Sequence, residues 1–321
     1  MQTRRSILKS TAALGLLAAF PGAAFAKAPL IGTQVPGYYR MRLGDLEITA
    51  LSDGTVPLPM AQIYQGLSEA DIGAYLNGHF ITEQSELSVN AYLVNTSERL
   101  VLIDAGTGDI MGPSLGKLVA HIEAAGYRAD QIDDVILTHV HADHSGGLTT
   151  ADGARVYKNA VLHVNETEAA FWLEASPETA ADATLGPQIV QAHANLDPYV
   201  AADKFRTFAN NASPLPGIGS VHRPGHTPGH SAIVLESSGE KLVIWGDIAH
   251  GDALQFDQPE VTVSFDVDQS RAVATRALAF AEAADQAYLV AGSHHAFPGI
   301  GHIRRDETNY DWVPLSYRAS Y

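Results

Sequence analysis

Thr138-His139-Val140-His141-Ala142-Asp143-His144-Ser145-Gly146-Gly147 gathers three imidazoles and one carboxylate into six consecutive positions. Fold stability alone gives no reason for that crowding. Ring nitrogens and carboxylate oxygens are the donors that borderline divalent ions such as zinc prefer. Four donors in one loop exceed what a single catalytic ion usually draws from one segment, so donors elsewhere would complete a centre for two ions. The loop follows Val135-Ile136-Leu137, a short apolar run with the pattern of a strand buried on both faces.

Neighbouring segments deliver further donors in the same way. Leu100–Ile103 is a second buried run, while Arg40–Ser52 and Val89–Asn95 alternate as antiparallel strands do. Pro113–Ala125 has Leu115, Leu118, Val119 and Ile122 at helical spacing before Gly126, and Ser270–Ala284 reads as a second helix. Ser231–Glu236 and Lys241–Trp245 form a predicted strand pair around Ser238-Gly239, and Tyr288–Val290 is one more buried strand. Asp247 then follows one strand end, and His294 and His295 follow another. Loops at the carboxyl ends of strands in an α/β sheet converge on one crevice. His226 and His230 lie in Pro224-Gly-His-Thr-Pro-Gly-His230, where proline and glycine hold a tight path. Asp104, closing Leu102-Ile103, is placed to orient the ligand loop by hydrogen bonds or to cap its own loop. Spacing alone does not choose between His294 and His295.

Composition narrows the chemistry. The chain has 321 residues, 46% of them hydrophobic, and no cysteine, so any metal ligands must be His, Asp or Glu. Thirty-six acidic against 20 basic side chains give a net charge of −16, which argues against nucleic acid as a partner and suits a small neutral substrate. Residues 1–26 read as a twin-arginine export signal. Arg4-Arg5 precedes an apolar stretch from Thr11 to Phe20, and Ala24-Phe25-Ala26 supplies a cleavage site. The apolar stretch is shorter than the roughly 20 residues that span a bilayer, so export to the periplasm is expected rather than a membrane anchor. Residues 27–36 are expected to be a loose lead-in, and residues 37–321 a single domain.

The order Thr-His-x-His-x-Asp-His, Gly-His-Thr-Pro-Gly-His, Gly246-Asp247 and a late His resembles the metallo-β-lactamase superfamily. Gly37-Tyr-Tyr-Arg-Met, Glu47-Ile-Thr-Ala-Leu-Ser-Asp-Gly-Thr55 and Phe297-Pro-Gly-Ile-Gly-His-Ile303 are similar to the methyl parathion hydrolase group and its dihydrocoumarin hydrolase-like lactonase relatives. The resemblance implies an α/β (α+β) fold, an αββα sandwich with a two-metal site at one sheet edge. It implies that His139, His141 and His226 hold one ion, that Asp143, His144 and His294 hold the other, and that Asp247 bridges them. His230 is expected beside the ligands rather than among them. Two divalent ions, zinc first and manganese, cobalt or iron as alternatives, would lower the pKa of a bridging water to roughly 7. The resulting hydroxide would attack with no covalent intermediate. Oxygen-reducing diiron relatives carry Glu where this chain has His141, which favours hydrolysis over redox chemistry.

The substrate rests on fewer residues. The resemblance places Arg, Leu and Leu of organophosphate hydrolases at Ile63, His250 and Phe265; the aliphatic, His and aromatic set here looks like the lactone-hydrolysing relatives. Asp143, Asp247 and His250 are therefore the candidate catalytic residues, and Ile63, Met111, Trp172 and Phe265 the candidate pocket wall. The leading expectation is a lactonase and arylesterase with weak phosphotriesterase activity. The alternatives are an organophosphate triester hydrolase and, from another class, a periplasmic metal-binding protein without turnover. Relatives are often dimers, so the resemblance implies a homodimer.

Overall fold

The computed structural model describes residues 28–82 and 84–320; the expected export signal lies outside the described residues. Two sheets face each other. The first has seven strands in the spatial order Tyr38–Leu43, Leu46–Pro59, Gln84–Asn95, Leu100–Ile103, Asp134–Ile136, Val161–Asn165 and Phe205–Phe208. Its first four strands pair antiparallel and the rest parallel. The second sheet has six, in the order Asn309–Pro314, Ile300–Asp306, Leu289–Ala291, Glu240–Ile244, Ser231–Ser237 and Ile218–His222. Pro36–Tyr321 forms one compact unit, and residues 28–35 carry no helix or strand.

Side-chain alternation along the strands builds the layers. Val101 and Ile103 point between the sheets, where they meet Ile48, Ile136, Ile233 and Ile244. Leu100 and Leu102 point the other way, onto Leu118, Ile122 and Leu196 of covering helices. In the second sheet Leu242 and Ile244 face inward, while Val243 and Trp245 face Phe280 and Ala283 of the helix Gln269–Gln286. Both faces of each central strand are thus buried, as their continuous apolar runs require. The result is the helix–sheet–sheet–helix sandwich expected from the sequence.

Three local readings are corrected. Arg40–Ser52 is not one strand but a hairpin turning at Gly44-Asp45, with Leu43 paired to Leu46; Gly44 takes a positive φ of 55° there. The helix expected from Pro113 begins at Leu118. Its first residues are held instead as a loop by Asp53, whose carboxylate accepts from Thr107 N and Oγ1, Gly116 N and Leu118 N at 2.7–3.1 Å. A 17-residue helix, Leu185–Ala201, was not anticipated; Ile189, Ala192, Leu196 and Tyr199 bury its inner face despite Pro198. The two-residue turn at Ser238-Gly239 is as expected, with positive φ at both positions, which matches the twist of the strands it joins. Among the described residues no helix is long and apolar enough to cross a membrane.

Candidate metal centre

Parallel strands end together, and so do the loops that follow them. Asp134–Ile136 leads into His139–His144, Glu240–Ile244 into Asp247, and Leu289–Ala291 into His294. The loop between Ile218–His222 and Ser231–Ser237 brings in His226, and Ser231 N donates to Thr138 O at 2.9 Å, tying one sheet's end to the other's ligand loop.

Among the described residues the donor atoms converge in three overlapping groups: His139 with His141 and His226, Asp143 with His144, Asp247 and His294, and a third in which His250 joins His226 and Asp247. In the first, His139 Nε2 lies 3.1 Å and His226 Nε2 3.0 Å from His141 Nδ1. Around a tetrahedral zinc ion with Zn–N of 2.0–2.1 Å, donor atoms sit about 3.3 Å apart. In the second, His294 Nε2 is 3.3 Å from Asp143 Oδ2 and 3.0 Å from Asp247 Oδ2. Asp247 stands between the groups: Oδ2 is 3.2 Å from His226 Nε2, and Oδ1 is 3.2 Å from His144 Nε2. His144 Nε2 and Asp247 Oδ1 are buried and have no hydrogen-bond partner. Two facing orphans of that kind are expensive in a dry interior unless a cation joins them.

At three of the ligand-type imidazoles the far nitrogen is engaged, which aims the near one inward. His144 Nδ1 is 2.9 Å from Asp104 Oδ2, His226 Nδ1 2.8 Å from Asp266 Oδ1, and His294 Nδ1 2.8 Å from Ser88 O. Asp104 also accepts from Thr138 N and Oγ1, both at 2.8 Å, so it fixes the start of the ligand loop. His230 differs. Its Nε2 accepts from Asp247 N at 3.0 Å and its Nδ1 donates to Arg223 O at 3.0 Å. Both nitrogens are used, leaving none for an ion. His295 also lies apart from the donor cluster: its Nδ1 is 2.9 Å from Asp252 Oδ1, and its ring stacks on Trp312.

Burial opposes charge at every imidazole of the cluster. At His139 it prevails, reinforced by His144, and at His141 it pushes the pKa down to about 3, with His226 adding to it. It is overcome at His226, lifted to about 9 by hydrogen bonds to Asp247 and Asp266, and at His294, lifted to about 10 chiefly by the charge of Asp247. Asp247 itself is buried, yet His294, His144 and His139 hold its carboxyl well below the usual range.

A cleft of about 370 Å³ opens on this cluster, with His141, Asp143, His226, Asp247, His250 and His294 in its lining. Its apolar wall includes Val56, Leu58, Leu87, Met111 and Phe265. Met111 and Phe265 are thus at the cleft. Ile63 and Trp172 are not: Ile63 packs in a satellite core with Met60, Ile72 and Val263. Trp172 is fully buried, its Nε1 donating to Glu168 Oε1 at 2.7 Å and its ring edge-on to His141. Helical and strand periodicity say that such residues are buried, not on which side of a wall. His250 Nε2 lies 3.3 Å from Asp247 Oδ2, while its buried Nδ1 has no partner.

Two buried carboxylates near the centre escaped the sequence reading. Asp266 orients His226, and Glu168 reaches both ligand loops, accepting from Val140 N at 3.0 Å and Gly229 N at 2.8 Å. Glu168 shares a helix face with buried Ala169 and Trp172. An acid on such a face needs internal donors, and that was the available signal.

A model of the metallo-beta-lactamase superfamily matches residues 85–294, and the chain belongs to that superfamily. It is similar to a probable metallo-hydrolase of Mycobacterium tuberculosis, 29% identical over 182 residues, 50% of this chain and 56% of that one. An N-acyl homoserine lactonase of a Bacillus species is 25% identical over 174 residues, 48% of this chain and 61% of that one. The chain thus spans little more than half the length of these curated relatives. Among solved structures, the hydrolase AbOPH of the beta lactamase superfamily is 34% identical with a TM-score of 0.84, covering 89% of this chain and 100% of its own. AidC, a dizinc quorum-quenching lactonase solved with an N-acyl-homoserine product, is 27% identical with a TM-score of 0.83, covering 88% and 99%.

Proposed function

We propose that this protein is a dinuclear metal-dependent hydrolase that opens lactones and cleaves activated aryl esters, with phosphotriesters as poorer substrates. Within the superfamily this reading groups it with the lactonase-like relatives of the methyl parathion hydrolase group, on the sequence resemblance alone. The observation that carries the proposal is an apolar cleft floored by the His/Asp cluster. His139, His141 and His226 would hold one divalent ion, and Asp143, His144 and His294 the other, with Asp247 shared; zinc suits this donor set. When bound, such ions supply Lewis acidity and a nucleophile drawn from water near neutral pH.

The chain's own residues do the rest. Leu58, Leu87, Met111 and Phe265 accept the organic part of the ester and keep bulk water from it. His250 is pinned through its backbone, its N–H donating to Gln255 Oε1 at 2.8 Å and its carbonyl accepting from Tyr64 OH. Its ring then faces the cleft beside Asp247, placed to hydrogen-bond the ester's departing oxygen. Replacing His250 by Ala is expected to lower kcat roughly 100-fold or more, the scale of a lost proton-transfer partner. Metal content should stay at the parent value; its loss would make His250 a ligand instead. Export to the periplasm and a homodimeric state complete the proposal.

The test is a kcat/KM panel over dihydrocoumarin, an N-acyl homoserine lactone, aryl esters and methyl parathion, with metal content measured on the same sample. Lactones should exceed methyl parathion by about tenfold or more. The reverse order would make the protein a phosphotriesterase, and bound metal without turnover would make it a carrier.

A further inference from the structure

We infer that Glu168 is a positioning residue that sets the spacing of one metal group and not the other. The inference rests on the two-metal reading above. Glu168 is fully buried and its carboxylate makes four contacts. Oε1 accepts from Val140 N at 3.0 Å and Trp172 Nε1 at 2.7 Å; Oε2 accepts from Thr227 Oγ1 and Gly229 N, both at 2.8 Å. Val140 lies between His139 and His141, and Thr227 follows His226. One carboxylate therefore grips, by adjacent backbone, the two loops that supply all three imidazoles of the first group. Trp172, held by the same carboxylate, sets its ring edge against His141, with ring centroids 5.6 Å apart.

The second group depends on other anchors. Asp104 holds His144, the Ser88 carbonyl holds His294, and His230 accepts from the backbone of Asp247. The Asp104 and Ser88 anchors act without Glu168, and only the His230 contact, one residue beyond Gly229, shares a loop that Glu168 holds. Residues that orient ligands without touching the ion typically change metal affinity about 10–100-fold. Applied to one group of two, that effect should be asymmetric.

In Glu168→Gln one carboxylate oxygen becomes an NH2 group, so either Val140 N or Gly229 N loses its acceptor whichever way the amide turns. Zinc titrations against a chromophoric chelator, run on the full chain, read both sites without any turnover assay. Cobalt substitution adds a visible spectrum that reports on the coordination of each ion. Two ions of similar affinity are expected in the parent, and in Glu168→Gln one retained and one weakened about 10–100-fold. Thr227→Val, which removes a single contact, should weaken the same ion by a smaller factor, and it carries the test if Glu168→Gln fails to fold. Unchanged affinities in the folded variants, or equal weakening of both ions, overturn the inference. If the parent binds a single ion, the two-metal reading falls. Weakening of that ion in Glu168→Gln then still supports the clamp, and unchanged binding overturns it.

Discussion

Asp247→Asn is expected to lower kcat/KM by roughly 10³-fold, the scale on which a lost electrostatic element of an active site registers. It is also expected to leave less than one tightly held ion per chain. Asp247 Oδ2 lies within 3.0–3.8 Å of His139, His226, His250 and His294 Nε2, and Oδ1 lies 3.2 Å from His144 Nε2. Among the described residues no other carboxylate forms ion pairs with both donor groups; Asp143 pairs with His144 and His294. Asparagine keeps the shape but removes the charge and turns one oxygen into a donor aimed at imidazole nitrogens. Substrate affinity, set by the apolar wall, should change far less than kcat. Metal analysis with steady-state kinetics checks this, and a variant that keeps two ions and near-parent kcat would remove Asp247 from the centre.

The second large effect concerns the backbone. A Cβ built on Gly229 would lie 2.1 Å from Glu168 N and 2.6 Å from its Cα, atoms that cannot swing aside. The loop carrying His226 packs directly on the first turn of the helix Glu166–Leu173, and only glycine permits that approach. Gly229→Ala should cost about 1–3 kcal/mol or more from overpacking. For a domain of this size that is a fall in Tm of roughly 2–4 °C per kcal/mol, together with weaker metal binding as His226 is displaced. Gly78 closes the helix Glu69–Gly78 with open space around it, so Gly78→Ala serves as the control. It should be neutral or stabilising by up to about 1 kcal/mol. Calorimetry on the two variants checks the contrast, and equal melting temperatures would mean the loop tolerates the extra methyl group.

The metal-ligand residue types were legible because chemistry and spacing coincide. Three His and one Asp in six positions have few explanations, and buried strands such as Val135–Leu137 announce themselves as unbroken apolar runs. Asp247 and the pair His294-His295 could be added because each follows such a run, and the resemblance favoured His294 of the two. What periodicity cannot supply is which wall a buried side chain belongs to. Trp172 and Ile63 have the composition of pocket residues, yet one is locked under Glu168 and the other lies in a satellite core.

Long-range partners were illegible for a related reason. Glu168 sits 28 residues from Val140 and 61 from Gly229 in sequence. Nothing in Asn165-Glu-Thr-Glu168 marks it as a clamp except its place on a buried helix face. Asp53 likewise looks like a strand-end acid until Thr107, Gly116 and Leu118 are seen to fold onto it. That fold also explains why the helix begins at Leu118 rather than at Pro113. The hairpin at Gly44-Asp45 did carry a signal, since a glycine-containing pair between alternating runs is a turn signature.

The most direct test of the two-metal centre is anomalous diffraction from crystals of the full chain grown with zinc. Two peaks are predicted, one bounded by His139, His141 and His226 and the other by Asp143, His144 and His294, with the Asp247 carboxylate reaching both. A single peak, or zinc bound away from the floor of the cleft, would contradict the account.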